Sequence, residues 1–134
     1  MPKRFVLIAL FGLLGLPLFI NVQHANASTI TVSNTNDSGG GSLRDAIDQA
    51  NANAGTDTIT FNIPTNCPQI IPASALPPIN SVVASPVIID ASTQACTNGS
   101  ADAPNVELSG NGAGAGARGL HITGNGAGST VRGL

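Results

Sequence analysis

Residues 42–63 have the sequence SLRDAIDQANANAGTDTITFNI, in which a helical periodicity is followed by a strand periodicity. Apolar side chains at the i, i+3, i+4 and i+7 positions form one face of an amphipathic helix. These side chains are Leu43, Ala46, Ile47 and Ala50. Ser42 precedes this face and Asp45 follows three positions later, in a capping-box arrangement. The stretch therefore predicts a short helix that begins after Ser42 and ends within residues 51–55.

The second half of the stretch alternates between apolar and polar residues, with Ile59, Phe61 and Ile63 on one face. Such alternation predicts a half-buried strand. Further short strands are predicted at residues 29–32, 69–71, 87–90, 106–108, 120–122 and 130–131. The sequence contains 16 Gly and only 3% aromatic residues. Because aromatic side chains normally supply much of a globular core, this composition favours stacked aliphatic side chains in a repetitive β architecture.

The last part of the chain contains an internal repeat. The motifs GNGAG at 110–114 and RGL at 118–120 recur 14 residues later, at 124–128 and 132–134. Short strands separated by Gly/Asn turns at a regular spacing are typical of a solenoid. The alternative interpretation of the same residues is a Gly/Ala-rich linker.

The chain resembles the N-terminal segment of secreted bacterial right-handed parallel β-helix repeat proteins, a group that includes polymorphic-outer-membrane-protein-like and surface-anchored proteins. The similar motifs are SLR (42–44), AI (46–47), AN (50–51), GTDTITF (55–61), LPPI (76–79), VIID (87–90) and STVRGL (129–134). The resemblance implies an all-β fold: the start of a β-helix solenoid, with one short N-terminal capping α-helix. The cap residues would be Ser42, Leu43, Asp45, Ala46, Ile47 and Ala50. Such solenoids continue for many coils, so we expect a chain truncated at Leu134.

The N-terminus has the three-part pattern of a secretory signal peptide. Lys3 and Arg4 precede an apolar run over residues 5–20, and small residues follow. The predicted cleavage lies after Ala27, with Ala25 and Ala27 as recognition residues and Ser28 as the new N-terminus. The alternative is a membrane anchor, but the run is shorter than the ~20 residues that a spanning helix needs. The sequence thus predicts a leader at 1–27 and a secreted domain at 28–134, with no membrane association after cleavage.

Two cysteines, Cys67 and Cys96, lie within the predicted secreted domain. An even number of cysteines in an exported chain predicts a disulfide. A metal pair or a reactive thiol is the alternative, although two cysteines without a nearby His make a poor zinc site.

The residues indicate no catalytic, cofactor or metal site. The formal net charge of −2 excludes the basic surface that nucleic-acid binding needs. Residues 114–119 match G-x-G-x-x-G, but the helix that a dinucleotide site needs does not follow. Residues 34–45 fit a calcium loop only loosely and supply few carboxylates. The carboxylates near the strands are Asp90, Asp102 and Glu107, and they form no recognisable acid–base pair.

We therefore expect a secreted or cell-surface structural or adhesive protein, non-catalytic in this chain. One alternative is the N-terminal portion of a β-helix polysaccharide lyase or glycoside hydrolase. Another is a calcium-linked carbohydrate-binding module. The expected partners are downstream coils, or a second copy that associates through the open C-terminal edge, together with surface glycans; no nucleic acid is expected.

Overall fold

The computed structural model describes residues 26–81, 84–97 and 103–134. Its elements, in chain order, are β1 (Thr29–Val32), α1 (Leu43–Ala52), β2 (Asp57–Phe61), β3 (Gln69–Ile70), β4 (Val87–Asp90), β5 (Glu107–Leu108) and β6 (Thr130–Arg132). The predicted leader, residues 1–27, lies outside the described residues except for its last two positions. Within the described ranges, no helix has the length and hydrophobicity needed to cross a bilayer.

The main sheet has four parallel strands in the order β1-β2-β4-β6. Its register aligns Ile30, Ile59, Ile89 and Val131 in one row across the strands. The first three of these side chains are buried, and Val131 on the last strand is 39% exposed. The core therefore includes a row of aliphatic side chains that ends at the β6 edge.

A second, two-stranded sheet pairs β3 with β5 in parallel, so that Ile70 lies beside Leu108. An isolated parallel bridge joins Ile79 to Ile122. Residues 120–122, predicted as a strand, therefore contribute only this bridge.

Helix α1 begins where the sequence predicts, because Ser42 supplies its N-cap. The Ser42 hydroxyl accepts a hydrogen bond from the Asp45 backbone N–H at 3.2 Å. The Asp45 carboxylate accepts from the Gly41 backbone N–H rather than from Ser42, so the reciprocal half of the capping box is displaced by one residue. The apolar face is buried and packs against β1 and β2. Its residues are Leu43, Ala46, Ile47 and Ala50.

The prediction of an all-β, right-handed parallel β-helix is wrong. The described residues have mixed α/β content, with a ten-residue helix on a small four-stranded parallel sheet, and they show no β-helix solenoid. The 14-residue repeat does not produce one strand per unit. Its GNG motifs form turns, as the sequence predicts, with 3₁₀ geometry at Gly110–Gly112 and Gly124–Gly126, but the strand expected between them at residues 120–122 is reduced to one bridge.

The repeat is not a linker either, because it packs against the rest of the fold. Gly126 is buried, and a Cβ at this position would lie 2.5 Å from the Ile79 carbonyl oxygen. Leu120 and Leu134 pack against the hydrophobic core. The glycine at 126 therefore permits a close backbone approach that a larger residue would prevent.

Candidate functional site

Strand β6 is the exposed edge of the main sheet. All three of its residues are exposed, and β4 is its single strand neighbour in the described part of the chain. The Gly133 carbonyl, just after the strand, accepts hydrogen bonds from the Asn105 and Val106 backbone N–H groups at 2.9 and 3.2 Å. These bonds fix the end of β6 on the body of the protein. Within the described ranges, no strand pairs with the other side of β6, and such an edge is the surface to which a further strand adds.

An ion pair holds β6 onto the end of β4. Arg132 Nη2 donates to Asp90 Oδ2 at 2.5 Å. Asp90 Oδ1 also accepts from the Ser92 backbone N–H and hydroxyl. The hydrogen bond from Arg132, followed by those from Ser92, lowers the pKa of Asp90 from 3.8 to about 2. The Asp90 side chain is 10% exposed and that of Arg132 is 60% exposed, so solvent screens the pair from one side.

A second ion pair joins three segments at the helix. Arg44 on α1 donates to the Asp37 carboxylate at 2.9 Å and to the Ala75 carbonyl at 2.8 Å. Asp37 also accepts from the Ala73 backbone N–H. The hydrogen bond from Arg44, followed by that from Ala73, lowers the pKa of Asp37. Arg44 therefore acts as a structural cross-link between the loop before the helix and the segment after β3.

The disulfide predicted between Cys67 and Cys96 is present, with the two Cα atoms 4.5 Å apart. Side chains beside it join the same two loops. Gln94 is buried, and its amide accepts from the Ile63 N–H and donates to the Ile63 carbonyl. Asn66 accepts from the Thr97 backbone N–H at 2.9 Å. An internal disulfide of this kind is compatible with an extracellular location.

A shallow cleft lies beside β5, with the glycine-rich loop 114–119 near it. Residues that line it include Ser74, Leu76, Leu108, Ser109 and Arg118. Its cavity volume, about 30 Å³, is far below the roughly 300–1,000 Å³ of ligand pockets. Arg118 contacts the His121 ring at 2.7 Å, and a bend and a bridge follow the loop instead of a helix. The cleft therefore lacks the features of a phosphate site.

Residues 34–45, which fit a calcium loop only loosely, are held together by internal hydrogen bonds. The Asn34 side chain accepts a hydrogen bond from the Asn36 backbone N–H and donates one to the Gly40 carbonyl. The Asp45 carboxylate accepts hydrogen bonds from the Gly41 backbone N–H and from the Gln49 side-chain amide. No group of three His, Cys, Asp or Glu within the described ranges could hold a metal ion. The observed bonds therefore agree with a turn and a helix cap.

The remaining predicted residues occupy different environments. Ala25 and Asp102 lie outside the described residues, and Glu107 is exposed on β5. Ala27 is exposed, whereas Ser28 is half-buried and donates to the Asp57 carboxylate. The buried position of Asp57 was not predicted, and neither was the pairing of Asp90 with Arg132. No local sequence signal marks either contact.

The chain matches no family model, no curated protein and no solved structure. Its resemblance to bacterial secreted repeat proteins therefore stays a prediction. Its function has to be argued from the contacts described above.

Proposed function

We propose that this chain is an exported, non-catalytic structural protein that associates with a second copy of itself through the edge of strand β6. The observation that carries the proposal is the exposure of all three β6 residues at the edge of a parallel sheet. An exposed strand edge pairs with another strand unless the chain protects it.

Two observations support export. The N-terminus has the pattern of a cleavable leader, with two cations, an apolar run and small residues before position 28. Cys67 and Cys96 form a disulfide, which persists in oxidising compartments outside the cytoplasm.

The composition of β6 supports a second copy as the occupant of its edge. The strand contains no proline or lysine, the residues that commonly protect edges. The charge of Arg132 is already paired with Asp90. In an antiparallel pair centred on Val131, this side chain would face its own copy, and Thr130 would face Arg132. Such an arrangement is self-complementary, as a two-fold dimer requires.

The interface would be small, since β6 has three residues. Interfaces that bury less than about 1,200 Å² are weak and transient. The proposed dimer is therefore concentration-dependent.

Sedimentation equilibrium of the exported protein over a range of concentrations tests this proposal. We expect a monomer–dimer equilibrium for the unsubstituted chain and a monomer for Val131→Lys, because a charge at the edge opposes its own copy. Ile71→Lys is the matched control, since Ile71 is 44% exposed and Val131 is 39% exposed. This control should dimerise like the unsubstituted chain. A monomer at every concentration, or equal loss of the dimer in both variants, would contradict the proposal.

A further inference from the structure

Asp57, the first residue of β2, is a completely buried carboxylate with incomplete hydrogen bonding. Its side chain is 0% exposed. Oδ1 accepts from the Ser28 backbone N–H at 2.8 Å and from the Ser28 hydroxyl at 2.9 Å. Oδ2 is buried and has no hydrogen-bond partner among the described residues. Since an unpaired buried carboxylate oxygen is costly, this site calls for a further donor and a positive charge.

Ser28 is held in place next to this carboxylate. Its carbonyl accepts from the Thr58 backbone N–H at 2.8 Å, and its hydroxyl accepts from the Asn53 side-chain amide at 3.1 Å. The preceding residue, Ala27, is exposed. The Ala27–Ser28 peptide bond therefore joins an exposed residue to one that is fixed against Asp57.

We propose that hydrolysis of the Ala27–Ser28 bond creates an α-ammonium group at Ser28 that forms a buried ion pair with Asp57. This inference rests on the export included in the proposed function. A leader-cleaving peptidase and one water molecule carry out the step. The water oxygen joins the Ala27 carbonyl carbon to give a carboxyl group, and the Ser28 nitrogen gains a proton as the C–N bond breaks.

The new terminus has what the Asp57 site lacks. Hydrolysis leaves an –NH₂ group at Ser28. Because a free α-amino group has a pKa of about 7.7–8.0, it takes up a further proton at neutral pH and becomes –NH₃⁺. The single N–H of Ser28 thus becomes three donors with a positive charge. One donor can remain on Oδ1 while another bonds Oδ2, which satisfies the buried oxygen.

The ion pair would couple processing to folding. Before cleavage, Ser28 contributes a neutral amide, and the buried carboxylate has no counter-charge from it. Cleavage adds this charge, so the processed chain should be more stable than the chain with its leader. A less stable precursor suits export, because the leader is removed before the secreted domain reaches its final stability.

The sequence permits a selective test, because the only lysine of the whole chain is Lys3, which lies in the leader. The exported product is isolated from a bacterial host, and its intact mass identifies the first residue. A product that begins at Ser28 has one primary amine, which an acetyl N-hydroxysuccinimide ester modifies. Urea unfolding then compares the free and acetylated chains. We expect acetylation to lower the folding equilibrium constant about tenfold or more, because it removes the charge from a buried pair.

Two variants identify the partner of the ammonium group. In Asp57→Asn, acetylation should change the equilibrium constant by less than about threefold, since the interaction is already absent. In Asp48→Asn, which alters an exposed aspartate on α1, the tenfold loss should persist. The unsubstituted amine should also be acetylated about tenfold more slowly in the folded than in the unfolded chain. This rate decides the question if Asp57→Asn does not fold.

The outcomes separate the ion pair from export. A product that begins at another residue overturns the ion pair and the predicted leader together. A product that begins at Ser28 but is equally stable after acetylation overturns the ion pair and leaves export standing. An acetylation effect that persists in Asp57→Asn, or equal labelling rates in the folded and unfolded chains, also overturns it.

Discussion

Removal of the Cys67–Cys96 disulfide should destabilise the fold by about 3 kcal/mol. The perturbation is the double substitution Cys67→Ser/Cys96→Ser, which leaves the side-chain bonds of Gln94 and Asn66 between the same loops in place. The disulfide acts mainly on the unfolded chain, where it restricts the segment between the two cysteines. These neighbouring bonds act on the folded chain and cannot replace this restriction.

The expected destabilisation follows from the length of the loop that the disulfide closes and from the backbone conformation at Cys67. A sequence separation of 29 residues gives about 3.6 kcal/mol at 25 °C in the chain-entropy model. Cys67 has a φ of +47°, a left-handed conformation that costs a non-glycine residue about 1–2 kcal/mol. Once the disulfide is absent, the backbone at position 67 can move towards an unstrained conformation and recover part of this energy. The expected loss in the free energy of unfolding is therefore about 3 kcal/mol.

Urea unfolding, followed by circular dichroism and extrapolated linearly to water, measures the difference in free energy of unfolding between the unsubstituted chain and the double serine variant. Cys67→Gly/Cys96→Ser is the matched control. It should recover about 1 kcal/mol relative to the double serine variant, because glycine adopts a positive φ without strain. A loss of less than about 1 kcal/mol on removal of the disulfide would refute the reasoning, because the two loops would then be restrained equally well without it.

Two further predictions concern the helix and the edge strand. Ile47→Asp should cost about 4 kcal/mol or more, because it places an unpaired carboxylate at a buried position. Thermal unfolding should show a large loss, whereas Ala52→Asp, at an exposed position of the same helix, should change little. The low pKa of Asp90, about 2 against 3.8, stabilises the fold above pH 4, and this contribution is lost as the pH falls toward 2. Since Arg132 is 60% exposed, solvent screens this ion pair and its contribution to stability should be small. Urea unfolding at pH 5 and pH 2.5 should show a larger loss in the unsubstituted chain than in Arg132→Met, because the hydrogen bonds from Ser92 to Asp90 and the Arg44–Asp37 pair remain in the variant. An equal loss in both would contradict the assignment.

The elements that were predicted correctly depend on neighbours in the sequence. The cap at Ser42 and the apolar face of α1 are set within one or two helical turns, so spacing alone locates them. The alternation from Ile59 to Phe61 marks the buried face of β2 in the same way. The disulfide followed from the number of cysteines in a chain with a leader pattern.

The sequence leads to the wrong fold class because the regular spacing of the GNG turns indicates a strand between them, whereas residues 120–122 form only a bridge. Glycine and asparagine fit both the turns of a repetitive β fold and isolated 3₁₀ turns, and packing against Ile79 decides between them. The contacts of Asp90 and Asp57 could not be predicted, for a different reason. Asp90 and Arg132 are 42 residues apart, and only strand pairing brings them together. Asp57 is the first residue of β2, and a charged side chain at the start of a strand is normally exposed.

Amide hydrogen exchange of β6 tests the central claim, that this edge is the association surface, most directly. The exported protein is measured at a dilute concentration and at one where sedimentation shows dimers. The account predicts that the backbone amides of Thr130–Arg132 exchange more slowly in the dimer, while amides of the buried strand β2 are unchanged. Dimers that form without added protection in β6, or with protection elsewhere only, would contradict it.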